Sequence, residues 1–382
     1  MLKFNGERLR KARLYRGLTI TELAEKIDVS KQAVSQYENG MHPPENDKMF
    51  SIISALGFPY EYFFQTDLIN IQTGTTYFRS LLSTNKKERL EQVIRLEHLI
   101  SIYKVISKYV EFPNLDIPEF DVESKSIEDI ATSLRDYWKL GSLPIDDMVH
   151  LLEKTGVVVT TYETRTENID AFSQLTKVNS EDKYLVVLSS NKNSAVRTQF
   201  DAAHELGHII LHTWSEDIEA LPKEEFKERE RQANDFAAAF LLPMDAFIKD
   251  LGIYNNNLDH YVRLKRKWKV SISAMIVRAY HLDVISDNQY QYLMRQVSKN
   301  GWRIKEPYDD ILAIKKPSLL NKAIDLLLEN KIFTEESFVQ ELDENGMALD
   351  YREIEILLNL TAGRLSPKKN TGEIVKLKNH SI

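Results

Sequence analysis

One largely apolar segment with two histidines limits the fold of this 382-residue chain more than any other feature. Residues 198–212 read TQFDAAHELGHIILH, and they place His204, Glu205 and His208 in the spacing HExxH. Because residues four apart share one face of an α-helix, both imidazoles can reach one metal ion. The apolar neighbours predict a buried helix, and buried ionisable groups need partners. The segment therefore predicts a helical metal site with Glu205 beside the metal.

The remaining protein ligand of such a site has several candidates downstream. A catalytic zinc site has three protein ligands and keeps its fourth position open for water, so one more ligand is needed. His212 lies one turn beyond His208, but three ligands along one straight helix would converge poorly, which favours a supporting role for His212. The next amphipathic segment offers carboxylates instead. Its spacing leaves Glu228, Glu230 and Asp235 open.

Composition narrows the class of protein. The chain has no cysteine, which excludes disulfides, thiolate nucleophiles and Cys-ligated zinc fingers. The charged N-terminal stretch lacks the apolar core of a signal peptide, and no apolar run is long enough for a membrane span. We therefore expect a cytoplasmic protein that does not associate with membranes. The net charge of −7 means that any nucleic-acid site must be a local patch.

The N-terminal segment predicts two short helices joined by a tight turn. Thr19 is a candidate N-cap, and Glu22 three residues later completes a capping box. Ser30 is expected to cap a second helix over 31–38, which stops at the Asn39-Gly40 turn signal. Two helices with so short a connection form a helix-turn-helix.

The rest of the chain is expected to be mostly helical with a small sheet, an α+β architecture. The predicted strands are 157–162, a weaker one near 171–175, and 184–188. The predicted helices outside the metal segment are 86–110, 127–140, 145–154, 319–330, 335–342 and 351–359. The apolar positions of the long helix 86–110 suit a core, or alternatively a dimer interface.

Two adjoining motifs carry a resemblance to a known family. HELGH, followed by E-x-x-A-N-x-F-A-x-x-x-L-L-P, resembles the ImmA/IrrE family of bacterial and phage zinc metallopeptidases. The flanking segments agree over roughly residues 127–307, including Ala171-Phe172-Ser173. The resemblance implies that Glu230 is the third metal ligand, with zinc as the cofactor. It also implies a gluzincin-like core, in which a small curled sheet packs against the HExxH helix and the Glu helix.

The resemblance also implies a chemistry, that of a zinc metallo-endopeptidase. Glu205 would take a proton from the attacking water and return it to the leaving amine, while His204, His208 and Glu230 hold the zinc. The group that helps to stabilise the oxyanion stays open. The candidates are Tyr254, Tyr261, Tyr280, His212 and His281. Two polar residues in apolar helices, Asn234 and Arg278, are expected to support the ligands or the fold.

Residues 6–42 resemble the XRE family of helix-turn-helix domains, the class of the lambdoid phage repressors, and the likeness extends to about residue 66. It implies an operator in double-stranded DNA, and by position the DNA-contacting side chains are Ser30, Lys31, Gln32, Ser35 and Gln36. Lys11 or Arg16 would lie near phosphates. Arg13 and Glu38 occupy positions that pair in this family.

Together the two resemblances predict a DNA-binding transcriptional regulator with endopeptidase activity. Free-standing members of the peptidase family cleave XRE-type repressors, so the expected substrate is a repressor-like protein, either a partner or another copy of this chain, with control of stress-response or mobile-element genes. A homodimer is expected from the repressor class. The alternative is a non-catalytic transcription factor whose metallopeptidase-like domain senses a ligand or a protein.

The expected domain order follows from these segments. It consists of the helix-turn-helix domain (1–66), a helical spacer (67–125), the metallopeptidase domain (126–307) and a C-terminal helical accessory region (308–382).

Overall fold

The computed structural model describes residues 3–66, 76–78, 86–163, 171–191, 194–214 and 221–367. Over these residues the chain is mostly helical and carries one small mixed sheet, which confirms the predicted α+β class. The last part of the predicted accessory region, 368–382, lies outside the described residues. Among the described helices, none has both the length and the apolar character that a membrane span requires.

The N-terminal helices begin where their capping residues predict. Thr19 caps the second helix with a full capping box to Glu22, and the Ser30 side chain accepts from the backbone N–H of Ala33 at the start of the third. The helix-turn-helix prediction is therefore confirmed in its local chemistry. The helices are α1 (Gly6–Tyr15), α2 (Ile20–Lys26), α3 (Lys31–Glu38) and α4 (Asn46–Leu56).

The sheet has four strands in the order β1-β3-β4-β2. β3 and β4 form an antiparallel hairpin, whose two turn residues Asn179 and Ser180 both have positive φ, as a tight hairpin turn of this kind requires. β2 pairs parallel with β4, and β1 pairs antiparallel with β3. The sequence did not predict β1. The strands are β1 (Thr76–Phe78), β2 (Val158–Tyr162), β3 (Ala171–Val178) and β4 (Glu181–Ser189).

Helices cover both faces of this sheet. One face presents Val159 and Val186 to the core of the metal-site helices. The opposite face presents Phe172 and Val187 to a second core, which also contains the N-terminal helices, α5 and the C-terminal helices. Because strands alternate their side chains, neighbouring residues of one strand belong to different cores.

The remaining helices keep the predicted order, with ends that differ by a few residues. For example, the helix predicted to reach residue 140 ends at Tyr137, because Lys139 takes a left-handed conformation. The helices are α5 (Lys86–Ile106), α6 (Ile127–Tyr137), α7 (Met148–Lys154), α8 (Ala195–Leu211), α9 (Lys223–Leu241), α10 (Met244–Leu251), α11 (Leu258–Trp268), α12 (Ile272–His281), α13 (Asp287–Lys299), α14 (Leu319–Glu329), α15 (Glu335–Glu344) and α16 (Tyr351–Leu357).

Helix α5, expected in a spacer, is enclosed by other elements. Its apolar side chains, such as Leu96 and Ile102, are fully buried, and its polar side chains find partners in the N-terminal domain. Glu97 pairs with Lys11 at 2.7 Å, and the His98 Nε2 lies 3.0 Å from the Tyr62 hydroxyl. The helix therefore forms the centre of the second core.

The C-terminal helices attach the N-terminal domain to the rest of the protein. Arg8 donates to the carbonyl of Gly346, and the Tyr15 hydroxyl donates to Glu353 at 2.7 Å. On the other side, the Asn359 side chain exchanges hydrogen bonds with the Thr161 backbone in β2. The region expected as an accessory module thus holds α1 and the sheet together.

Candidate metal centre and DNA-reading helix

Helices α8 and α9 pack unusually closely. At Gly207 of α8, a Cβ would lie 3.1 Å from both the Cα and the carbonyl oxygen of Ala233 in α9. Such a distance is too short for a comfortable contact, so the absence of a side chain at Gly207 permits the approach. The close packing brings Glu230 of α9 next to the imidazoles of α8.

Three predicted ligand residues meet between these helices. The His208 Nε2 lies 3.0 Å from the His204 Nε2 and 3.1 Å from the Glu230 Oε1, and the Glu230 Oε2 lies 3.5 Å from the His204 Nε2. All three ligand atoms lie within 4.8 Å of one another. Among the described residues, this is the one group of histidines and acids close enough to share an ion in this way.

The other two acids left open by the spacing are turned elsewhere. Glu228 and Asp235 both pair with Arg231, at 2.5 and 2.7 Å. Of the three candidates, Glu230 alone points between the two imidazoles.

Hydrogen bonds on the far sides of the imidazoles set their tautomers. The His204 Nδ1 lies 3.1 Å from the Asn234 side-chain oxygen, and the Asn234 amide nitrogen donates to the Glu230 carbonyl, which orients the amide. An amide oxygen only accepts, so His204 carries its proton on Nδ1 and keeps the Nε2 lone pair for a metal.

The second imidazole is oriented through a longer chain of hydrogen bonds. The Gln232 amide donates to Glu228, so its oxygen accepts from the His212 Nε2 at 3.1 Å. The His212 Nδ1 then accepts from the His208 Nδ1 at 3.0 Å. This leaves the His208 Nε2 lone pair directed at the ligand cluster. His212 therefore supports a ligand, as its position on the helix predicts.

Electrostatics favour the protonation states that metal binding needs. Burial alone would raise the pKa of Glu230, but while the two imidazoles are protonated, hydrogen bonds and charge from His204 and His208 outweigh burial and lower the pKa to about 2. Burial, with a contribution from His208, lowers the pKa of His212 to about 3. Glu230 is thus an anion and His212 a neutral acceptor near neutral pH. Two imidazole nitrogens and one carboxylate oxygen form the donor set of catalytic zinc sites, so these residues fit a divalent zinc ion.

Glu205 is fully buried on the same helix, and the sheet orients it. The Ser173 hydroxyl of β3 donates to the Glu205 Oε2 at 2.5 Å. Sequence reasoning included Ser173 in the resemblance but gave it no role. The available signal was a small polar residue directly after the apolar pair Ala171-Phe172 in a strand-like segment.

A cleft of about 630 Å³ opens beside Glu230, lined among others by Phe200, Asn234, Ala274 and His281. A second cleft of about 680 Å³ shares Phe200 and Ala274 with it. The first cleft therefore gives access to Glu230 from outside the fold.

The open oxyanion candidates lie in different places. His281 lines the cleft. The Tyr261 hydroxyl instead donates to the Asn255 carbonyl, and Tyr254 is exposed against His260. Tyr280 stacks on Tyr290.

The expected supporting role of Arg278 concerns the fold. Its guanidinium donates to Glu128 and to the Leu242 carbonyl, which joins α12 to α6 and to the end of α9.

The predicted DNA-contacting residues lie at the start of α3. Lys31, Gln32 and Gln36 are exposed, and Ser35 is half-buried. The expected pairing of Arg13 with Glu38 is present as two parallel hydrogen bonds of 2.6 and 2.8 Å, which fixes α1 to the end of α3.

The expectation that Lys11 or Arg16 lies near phosphates is wrong. Lys11 is buried against Glu97, and Arg16 pairs with Glu353 at 2.6 Å and donates to the Leu56 carbonyl. Lys11 points toward α5, and Arg16 is half-buried against α16, so both are engaged by other parts of the chain.

Comparison with known families finds a match for two segments of the chain. Residues 152–280 match the M78 peptidase family model, described as the IrrE N-terminal-like domain. Residues 9–63 match a helix-turn-helix family model. Comparison with curated proteins gave no match. The predicted fusion of an XRE-type reader with an ImmA/IrrE-like metallopeptidase domain is confirmed.

Proposed function

We propose that this chain, which joins a helix-turn-helix domain to an IrrE-like peptidase domain, is a DNA-binding transcriptional regulator with zinc-dependent endopeptidase activity. The convergence of the His204 and His208 Nε2 lone pairs with the Glu230 carboxylate carries the proposal. A purely structural cluster would not need the two outer hydrogen bonds that leave the Nε2 atoms of His204 and His208 directed inward.

Each residue of the site has a separate role in peptide hydrolysis. His204, His208 and Glu230 would hold zinc, which supplies a Lewis acid that polarises a carbonyl and acidifies water. Glu205 accepts a proton from the attacking water and passes it to the leaving amine. Ser173 keeps the carboxylate of Glu205 in place during both transfers.

The substrate we propose is a repressor-like protein, a partner or a second copy of this chain. The fusion of an IrrE-like peptidase domain to a helix-turn-helix domain supports this substrate class. Helix α3 would bring the peptidase to the DNA where such repressors are bound.

For the homodimer, Met41 and Phe50 give a candidate contact, because both are more than two-thirds exposed on the N-terminal domain.

Three measurements test the proposal. Metal analysis of the purified protein should find zinc, and Glu230→Gln should lose it. The matched control Glu224→Gln, an exposed acid on the same helix, should keep it. Selection from random duplex DNA should yield an operator. Terminal sequencing of cell proteins exposed to the zinc-loaded protein should reveal a cut that Glu205→Gln abolishes.

The outcomes separate the proposal from its alternative. Zinc binding and operator binding without any cut dependent on Glu205 would establish a non-catalytic regulator with a sensing domain. A protein that binds no zinc contradicts the enzymatic half outright.

A further inference from the structure

The outer edge of the sheet beside Glu205 is covered by the chain itself. Strand β1 comes from the segment between the helix-turn-helix and peptidase domains and pairs antiparallel with the middle strand β3. The Cα partners are Thr76 with Gln174, Tyr77 with Ser173, and Phe78 with Phe172. The whole of β3, from Ala171 to Val178, pairs with β4 on its other side.

This covered edge belongs to the proposed active site. Ser173 stands at the middle of the pairing and donates to the Glu205 Oε2 at 2.5 Å. Neighbouring strands lie about 4.8 Å apart. The backbone of β1 is therefore one strand spacing from the residue that holds the proton-transferring carboxylate.

A sheet edge at such a place suits peptide binding. The free N–H and C=O groups of an edge strand pair with an added extended peptide, and main-chain hydrogen bonds provide the affinity. A segment added to β3 at Ser173 would run alongside Glu205 and the metal ligands. The edge offers one set of hydrogen-bonding groups, so β1 and an added peptide exclude each other.

We propose that β1 occupies the peptide-binding edge of the peptidase, and that a substrate binds as an extended strand antiparallel to β3 in place of β1. β1 thereby restrains peptidase activity until it is displaced. With only three residue pairs, β1 is a short occupant that a longer strand can replace. This inference rests on the proposed peptidase function and adds its regulation by β1.

A reversible crosslink tests the exclusion. The chain has no cysteine, so Thr76→Cys with Gln174→Cys introduces a single possible disulfide between register partners. Both changes are made in full-length Glu205→Gln protein loaded with zinc. The probe is a fluorescein-labelled synthetic peptide with the sequence of residues 72–82, QTGTTYFRSLL. We expect the reduced protein to bind it at least tenfold more tightly than the oxidised protein.

Each single-cysteine variant serves as a control and should bind equally with and without reductant. Equal peptide binding by the oxidised and reduced double variant contradicts the proposal. Failure of the disulfide to form also contradicts it, because the two strands would then not be paired in solution.

A second variant removes the occupant instead of fixing it. The combined substitutions Thr76→Pro, Tyr77→Pro and Phe78→Pro remove the N–H groups of β1 and disrupt its pairing. Those β3 amides among residues 172–174 that donate to β1 should then exchange with deuterium at least tenfold faster. Peptide binding should tighten by a similar factor relative to the Glu205→Gln parent. Unchanged exchange and binding overturn the inference. Neither readout requires catalysis, so absent cleavage by the unmodified protein would count against the proposed function alone.

Discussion

Ser173 and Glu205 lie on different elements of the fold, and a 2.5 Å hydrogen bond joins them inside the protein. The strand thus holds the carboxylate that the helix supplies. Both residues are fully buried, so the bond is protected from competing water. The sheet is therefore part of the proposed catalytic machinery as well as its support.

Ser173→Ala should slow peptide cleavage by about ten- to hundredfold, the range expected for losing a hydrogen bond to a buried charged group. The effect should fall on kcat more than on KM, because Ser173 positions Glu205. Steady-state kinetics and metal analysis check this, with zinc content unchanged. Ser173→Thr keeps the hydroxyl and should recover most of the rate. An Ala variant as fast as the original protein would contradict the positioning role.

Gly207→Ala should destabilise the protein by about 1–3 kcal/mol, because the new methyl would press on the backbone of Ala233. In an uncrowded helix the same change would stabilise it by about 0.5–1 kcal/mol. The sign of the change in a urea titration therefore decides between close packing and ordinary helix propensity. We also expect weaker zinc binding, since the ligands would be pushed apart.

His98 should make the stability of the fold depend on pH. Burial, with the nearby charges of Arg8, Lys11 and Arg16, lowers its pKa well below 6.5. The unfolded chain therefore takes up this proton first, and unfolding free energy is lost as pH falls below about 6.5. One proton corresponds to about 1.4 kcal/mol per pH unit.

Urea titrations between pH 7 and 5 measure that slope, and His98→Gln should reduce it by about one proton. The variant loses packing against Tyr62 at every pH, so the comparison concerns the slope and not the absolute stability. An identical slope in both proteins would show that His98 is protonated in the folded state as well.

Lys31 and Lys11 should respond differently to substitution, although both lie in the N-terminal domain. Lys31→Ala removes an exposed charge at the start of α3, so operator affinity should fall and the salt dependence of binding should decrease by about one ion. Lys11→Met should leave the salt dependence unchanged and lower stability, because Glu97 stays buried without this partner. Equal losses of salt dependence would mean that Lys11 reaches the DNA.

Local chemistry made part of this fold predictable. The starts of α2 and α3 were predictable because each depends only on nearby residues. Thr19 and Glu22 form the capping box of α2, and Ser30 caps α3. The HExxH spacing requires only helical geometry, so it placed His204 and His208 together. The choice of Glu230 needed the family resemblance, because its convergence depends on how closely α9 approaches Gly207.

The parts that escaped prediction depend on contacts between distant segments. Arg8 donates to the carbonyl of Gly346, 338 residues away, and Tyr15 reaches Glu353 over the same separation. Nothing in the sequence near Lys11 reveals that Glu97 will be opposite it. Strand β1 has only three residues, which lie in a threonine-rich stretch. It is a strand because it pairs with the edge of β3, and the local sequence does not reveal that pairing.

The anchorage of α1 by Glu353 also determines what a single chain break would do. The inner surface of the helix-turn-helix domain includes Leu9, Tyr15 and Phe58. Helices from much later in the chain cover it. A fragment ending near residue 66 would expose these apolar side chains to solvent, so it should be much less stable than the same helices in the full chain. We therefore expect that separating the N-terminal domain from the C-terminal helices abolishes DNA binding and does not release an independently folded repressor.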